Sequence, residues 1–187
     1  MQASSHSRRA FAPHDHGRCR GEALAAVEAA CAARRLRLTP ARAFVLETLL
    51  ESHRALTAYE LLDRLAAAGL GSQPPVAYRA LDFLVANGFV HRIERLGAFV
   101  ACTHGHEPGG AGHSAGFLVC RSCRTVAETV VPRPAPGLLA EAEAAGFAIE
   151  RTVVEAEGLC ARCREARQTR NPATCSPAPC SWSCGCR

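Results

Sequence analysis

Apolar residues in the first half of the chain recur at three- and four-residue spacing, which puts them on one side of a helix. The Ala-rich stretch 24–33 predicts a first helix over 22–35. Thr39-Pro40 offers an N-cap followed by Pro at the first helical position, opening a helix through Leu46, Leu49 and Leu50. Thr57-Ala58-Tyr59-Glu60 has the spacing of a capping box and predicts a third helix that stops near Gly69. Gln73-Pro74-Pro75 restarts the chain, and 76–86 carries Tyr78, Leu81, Leu84 and Val85 at helical spacing before Asn87-Gly88 ends the run. Two short apolar runs, 89–94 and 98–101, flank Leu96-Gly97 and read as a β-hairpin. Helices followed by a hairpin give the order of a winged helix-turn-helix, whose helix before the hairpin enters the major groove.

The pattern then changes. His104-Gly105-His106-Glu107-Pro108-Gly109-Gly110 has hinge composition, and beyond it strands are expected over 116–119, 126–131 and 147–155, with a helix over 137–145. Periodicity fades after Arg167. The expected organisation is an unstructured arm at 1–21, a winged-helix domain at 22–102, a hinge at 103–112, a second domain at 113–167 and a Cys-rich tail at 168–187. The fold class is α+β, an N-terminal winged helix joined to a smaller C-terminal α/β domain.

Composition adds little until the cysteines are placed. A hydrophobic content of 48% in 187 residues suffices for packed cores. All 22 basic residues are Arg, and the net charge of +5 suits a polyanionic partner without demanding one. The first 21 residues contain no apolar segment of signal-peptide length and no later run reaches membrane-spanning length, so a cytoplasmic protein without membrane contact is expected. Eleven Cys is an odd number, and clustered thiols in a reducing compartment are better read as metal ligands than as disulfides.

Cys120-Arg121-Ser122-Cys123 and Cys160-Ala161-Arg162-Cys163 are two pairs of thiols, each spaced to turn back onto one ion. Together they supply the closed tetrahedral shell that structural zinc prefers. His91, Cys102, His113 and Glu128 are further candidate ligands, which their spacing alone does not join. Cys175, Cys180, Cys184 and Cys186 in the tail have no defined role.

Leu38-Thr39-Pro40-Ala41-Arg42, 74–84 (PPVAYRALDFL), Gly88-Phe89-Val90-His91 and Glu155-Ala156-Glu157-Gly158-Leu159-Cys160 together resemble the ferric uptake regulator superfamily, nearest its zinc uptake regulator branch. The likeness covers about 23–167. It implies that the Cys pairs hold structural zinc in a dimerisation domain, and that His91, Cys102, His113 and Glu128 form a regulatory zinc site, two ions per subunit. A mixed nitrogen, sulfur and oxygen shell suits zinc, whereas a thiolate suits hard, oxygen-preferring ions poorly. The resemblance also implies a homodimer that binds palindromic double-stranded operator DNA and silences zinc-uptake genes. Tyr59, Tyr78 and Arg79 then lie at the DNA surface, and Arg92 and Arg95 extend the basic face across the wing.

Three departures from the family pattern stand out. The loop from Cys102 to His113 is longer and contains His104 and His106, either of which stands as an alternative to His113 or as a ligand of a further site. Glu157 replaces a His common before Gly-Leu-Cys. The His-rich run before the first Cys pair is reduced to His113. Other readings stay open: an iron- or peroxide-responsive regulator of the same fold, or a zinc-bearing protein-interaction module. An enzyme is not expected, because neither a His-Glu-x-x-His nor a deaminase-type His-x-Glu motif is present.

Overall fold

The computed structural model describes residues 10–12, 15–102, 115–131, 136–150 and 152–169. Helix α1 (His16–Ala33) begins six residues earlier than the hydrophobic pattern implies and occupies part of the expected arm. Asp15 is the reason, since its Oδ1 accepts the Gly17 and Arg18 amides at 2.9 and 3.3 Å and caps a polar first turn that carries no apolar periodicity. Helix α2 (Pro40–Leu50) starts with Pro at its first turn, but the Thr39 hydroxyl makes no cap hydrogen bond. Strand β1 (Leu56–Thr57) is too short to leave a pattern in the sequence. Helix α3 (Ala58–Ala67) opens on a complete capping box, with the Glu60 amide donating to Thr57 Oγ1 at 3.2 Å and the Thr57 amide to Glu60 Oε2 at 2.7 Å.

Helix α4 (Pro74–Ala86) leads through Gly88, at a left-handed φ of 74°, into β2 (Val90–Ile93). A 3-10 turn over Glu94–Leu96 and Gly97, at φ 55°, return the chain as β3 (Ala98–Ala101). β3 pairs antiparallel with both β1 and β2, so the hairpin supplies the central strand and one edge of a three-stranded sheet ordered β1-β3-β2. Val45, Leu46, Leu49, Leu61, Leu65, Leu81, Leu84 and Phe89 are each at most 1% exposed and form the core among the helices. This is a winged helix.

The second half contains β4 (Ala115–Cys120), β5 (Val126–Val130), helix α5 (Pro136–Ala144), β6 (Val154–Gly158) and helix α6 (Ala161–Thr169). The sheet order is β5-β4-β6, antiparallel between β4 and β5 and parallel between β4 and β6, with α5 in the crossover. Two expectations shift here. The last strand lies at 154–158 rather than 147–155, because Gly146 at φ 64° and the Phe147 amide bonded to Ala142 O spend that stretch closing α5. The helix α6 runs past Arg167 into the expected tail.

The two halves meet along a seam with its own core. Ala55, Ile93, Ala98 and Val100 pack on Phe117, Val119 and Val126. Backbone bonds cross it, from the Ala55 amide to Arg124 O at 2.9 Å and from the Val126 amide to His53 O at 2.8 Å.

Candidate metal centres and nucleic-acid face

Both Cys pairs lie where a strand ends. Cys120 closes β4, and the parallel register opposes it to Gly158 at the end of β6, just ahead of Cys160. The pairs are thereby brought to one edge of the sheet. Their four Sγ atoms lie within 4.8 Å of one another, and Cys123 Sγ to Cys160 Sγ is 3.8 Å. A tetrahedron with zinc–sulfur bonds of about 2.3 Å has edges of about 3.8 Å, so the cluster fits that ion. Backbone groups favour thiolates here: the Cys160 amide donates to Cys120 Sγ at 3.4 Å. Burial opposes ionisation of Cys123, but hydrogen bonding with the Thr125 side chain and amide and with the Cys120 and Cys163 side chains outweighs it and draws its pKa down to about 6. Cys160 is pushed up to about 12 by burial and by the neighbouring thiols.

The second cluster straddles the seam. His91 sits on β2 opposite Val100, and Cys102 follows β3 with its amide bonded to Phe89 O at 3.0 Å. Glu128 projects from β5, in register with Phe117 on β4. His91 Nε2 is 3.0 Å from Glu128 Oε1, and Cys102 Sγ is 3.8 Å from the same oxygen. Glu128 is 5% exposed, and a carboxylate that deep needs a cationic or hydrogen-bonding partner. The three ligand atoms lie within 4.8 Å of one another and supply one nitrogen, one sulfur and one oxygen donor, a set zinc accepts. His113, His104 and His106 lie outside the described residues, as do Cys175, Cys180, Cys184 and Cys186.

On α4, Ala77, Ala80, Leu81 and Leu84 face the core while Tyr78 and Arg79 face outward. Tyr78 is 44% exposed and Tyr59, in the first turn of α3, 66%. Exposed aromatic side chains and an outward Arg offer the stacking and hydrogen-bonding groups that nucleic acid takes. Arg95 has partners within the subunit. Its Nε bonds Glu157 Oε2 at 2.7 Å, and the Glu94 and Arg95 amides both donate to the Glu155 carboxylate, at 2.7 and 3.0 Å. Arg92 pairs with Glu94 at 3.1 Å. Sequence reasoning missed these wing-to-β6 contacts, whose only trace was Glu157 standing in place of the common His.

No protein-family model matches the chain. The zinc uptake regulation protein of Escherichia coli (strain K12) is 39% identical over 154 residues, spanning 82% of this chain and 88% of that protein, and the protein of the same name from Shigella flexneri matches to the same extent. Among solved structures, a zinc uptake regulator complexed with zinc and DNA superposes with a TM-score of 0.72 at 38% identity, covering 80% of this chain and 97% of that one. The holo form of XcZur gives 0.64 at 46% identity, over 76% and 96%. The winged helix joined to a thiol-bearing α/β domain defines the ferric uptake regulator superfamily, and the chain belongs to its zinc uptake regulator branch. Among the described residues no helix is long and apolar enough to cross a membrane.

Proposed function

We propose that this protein is a cytoplasmic, zinc-responsive transcriptional repressor, which binds palindromic operator DNA as a homodimer loaded with two zinc ions per subunit and silences zinc-uptake genes. It acts by binding and not by catalysis. The observation that carries the reading is the cluster of His91, Cys102 and Glu128, whose donors come from both sides of the seam. Zinc held there supplies coordination bonds that tie wing to second sheet. His91 carries the β2 edge of the wing, Cys102 its exit, and buried Glu128 the sheet beneath; His113 is the proposed fourth ligand. Cys102 favours zinc over manganese, since a soft thiolate suits that hard, oxygen-preferring ion poorly. The four-thiol cluster is the structural zinc site.

Support for the dimer comes from surfaces that one subunit leaves uncovered. Leu118 and Val154 share the face of the second sheet opposite Phe117 and Val119, and both are exposed, as are Leu138, Leu139 and Phe147 in and after α5. Large apolar side chains left exposed in this number suit an interface. Fixing each winged helix on such a dimer sets the two α4 helices about one DNA turn apart, as a palindrome requires. Restricting the orientations of the two reading heads is the proposed switch.

The test is a gel shift on DNA upstream of zinc-transporter genes. Zinc promotes binding where ferrous and manganous ions do not, and Arg79→Ala weakens it by about tenfold or more, the worth of one Arg–guanine contact. Promotion by iron instead of zinc overturns the metal assignment. Binding that survives Arg79→Ala unchanged overturns the reading of α4.

A further inference from the structure

Arg124 has no part in either metal cluster, yet it makes the most elaborate contact across the seam. It lies between Cys123 and Thr125 at φ 60°, in the left-handed region that favours glycine, so a side chain there is strained unless something holds it. Four hydrogen bonds hold it. Its amide donates to Cys120 O at 2.8 Å, its carbonyl accepts the Ala55 amide at 2.9 Å, and its guanidinium reaches both oxygens of Glu60, at 3.1 and 3.2 Å.

Glu60 is the N3 residue of the α3 capping box, already accepting the Thr57 amide and hydroxyl through Oε2 at 2.7 and 2.8 Å. The Thr57 amide, the Thr57 hydroxyl and the Arg124 guanidinium together hold its carboxyl below the ordinary carboxylate range, against a smaller effect of burial. One carboxylate thus finishes the start of α3 and receives the fork from the first Cys knuckle. Tyr59 is its neighbour in the chain. A planar two-pronged contact fixes orientation as well as distance, which a Lys ammonium in the same place does not.

We propose that Arg124 is a positioning residue: it grips the N-terminus of α3 from within the Cys120–Cys123 knuckle, and so orients the winged helix on the metal-binding half of the same subunit. The knuckle then does more than stabilise its own sheet, because any distortion of it is transmitted by Arg124 to the surface that carries Tyr59. Only the consequence for operator affinity rests on the DNA-binding function proposed above; the orienting contact itself does not.

The test uses the full chain loaded with zinc, carrying Arg124→Asn, Arg124→Lys, Glu60→Gln, and Arg124→Asn with Glu60→Gln. Asn tolerates the left-handed φ, and Gln still accepts the Thr57 amide. Hydrogen–deuterium exchange is read at peptides covering 52–57 and 124–127, which contain the Ala55 and Val126 amides that cross the seam. Exchange there rises about two- to fivefold in Arg124→Asn, in Glu60→Gln and equally in the double variant, with Arg124→Lys intermediate, while α2 and α4 peptides and zinc content stay as in the parent. Operator affinity falls by about tenfold, because a dimer carries two such contacts. Parental exchange at Ala55 and Val126 in the variants overturns the proposal, as does a double variant whose effect is the product of the singles. Should Arg124→Asn lose zinc, Glu60→Gln, which changes no residue of the knuckle, decides the matter. A parent chain that binds no operator counts against the DNA-binding function, and the exchange measurement still decides the role of Arg124.

Discussion

Cys120, Cys123, Cys160 and Cys163 all belong to one sheet and the helix after it, whereas His91 and Cys102 belong to the wing and Glu128 to the second sheet. The first cluster closes as soon as its own half folds. The second exists only while the two halves are docked, and its ligand geometry is a property of the seam. Four thiolates from one rigid unit suit an ion that stays; three unlike donors on two units suit one whose arrival and departure move something.

Removing a ligand from each cluster breaks the comparison most directly. Cys160→Ser is expected to strip zinc from the thiol cluster and unfold the β5-β4-β6 sheet, since a structural zinc contributes on the order of 10 kcal/mol to such a domain. Zinc analysis and calorimetry check it, and a parental melting transition would show that the cluster is dispensable to the fold. Cys102→Ser is expected to leave that transition nearly in place while raising the zinc concentration needed for operator binding by about a hundredfold or more. A variant with collapsed stability and an unchanged response threshold would reverse the roles of the two clusters. The smallest effect sharpens the seam itself. Glu155→Gln removes the charge that receives the Glu94 and Arg95 amides, and is expected to cost about 1 kcal/mol or less in denaturant unfolding, with the loss fading in high salt.

What was legible in the sequence follows the range of the interaction that decides each feature. The capping box at Thr57 and Glu60 is written in four consecutive residues and forms as the spacing implies. Helix α4, with its apolar side inward and Arg79 outward, is fixed by a periodicity that no distant contact overrides. Strand β6 is different: its position depends on register with β4, and Phe147, which looks like its first apolar residue, instead ends α5. The start of α1 escaped because a single capping carboxylate, Asp15, extends a helix beyond any hydrophobic pattern. The pairing of Arg95 was not legible, because charge alone does not reveal a partner and Glu157 lies 62 residues away. The three described ligands of the second cluster are brought together by docking of two sheets, a fact about the seam that spacing along the chain does not encode; resemblance supplied it.

The parallel pairing of β4 with β6 also bears on how the protein is made. A ribosome delivers Cys120 and Cys123 well before Cys160 and Cys163, with α5 and its crossover in between. Until β6 has emerged and taken its place beside β4, the first two thiols have no partners of their own chain at the sheet edge. Nascent chains therefore pass through a stage at which the winged helix, built from contacts nearer in sequence, is complete while the thiol cluster is half assembled. During that interval the first knuckle is open to oxidants and to foreign metal, and cellular thiol-reducing capacity becomes a condition for correct maturation.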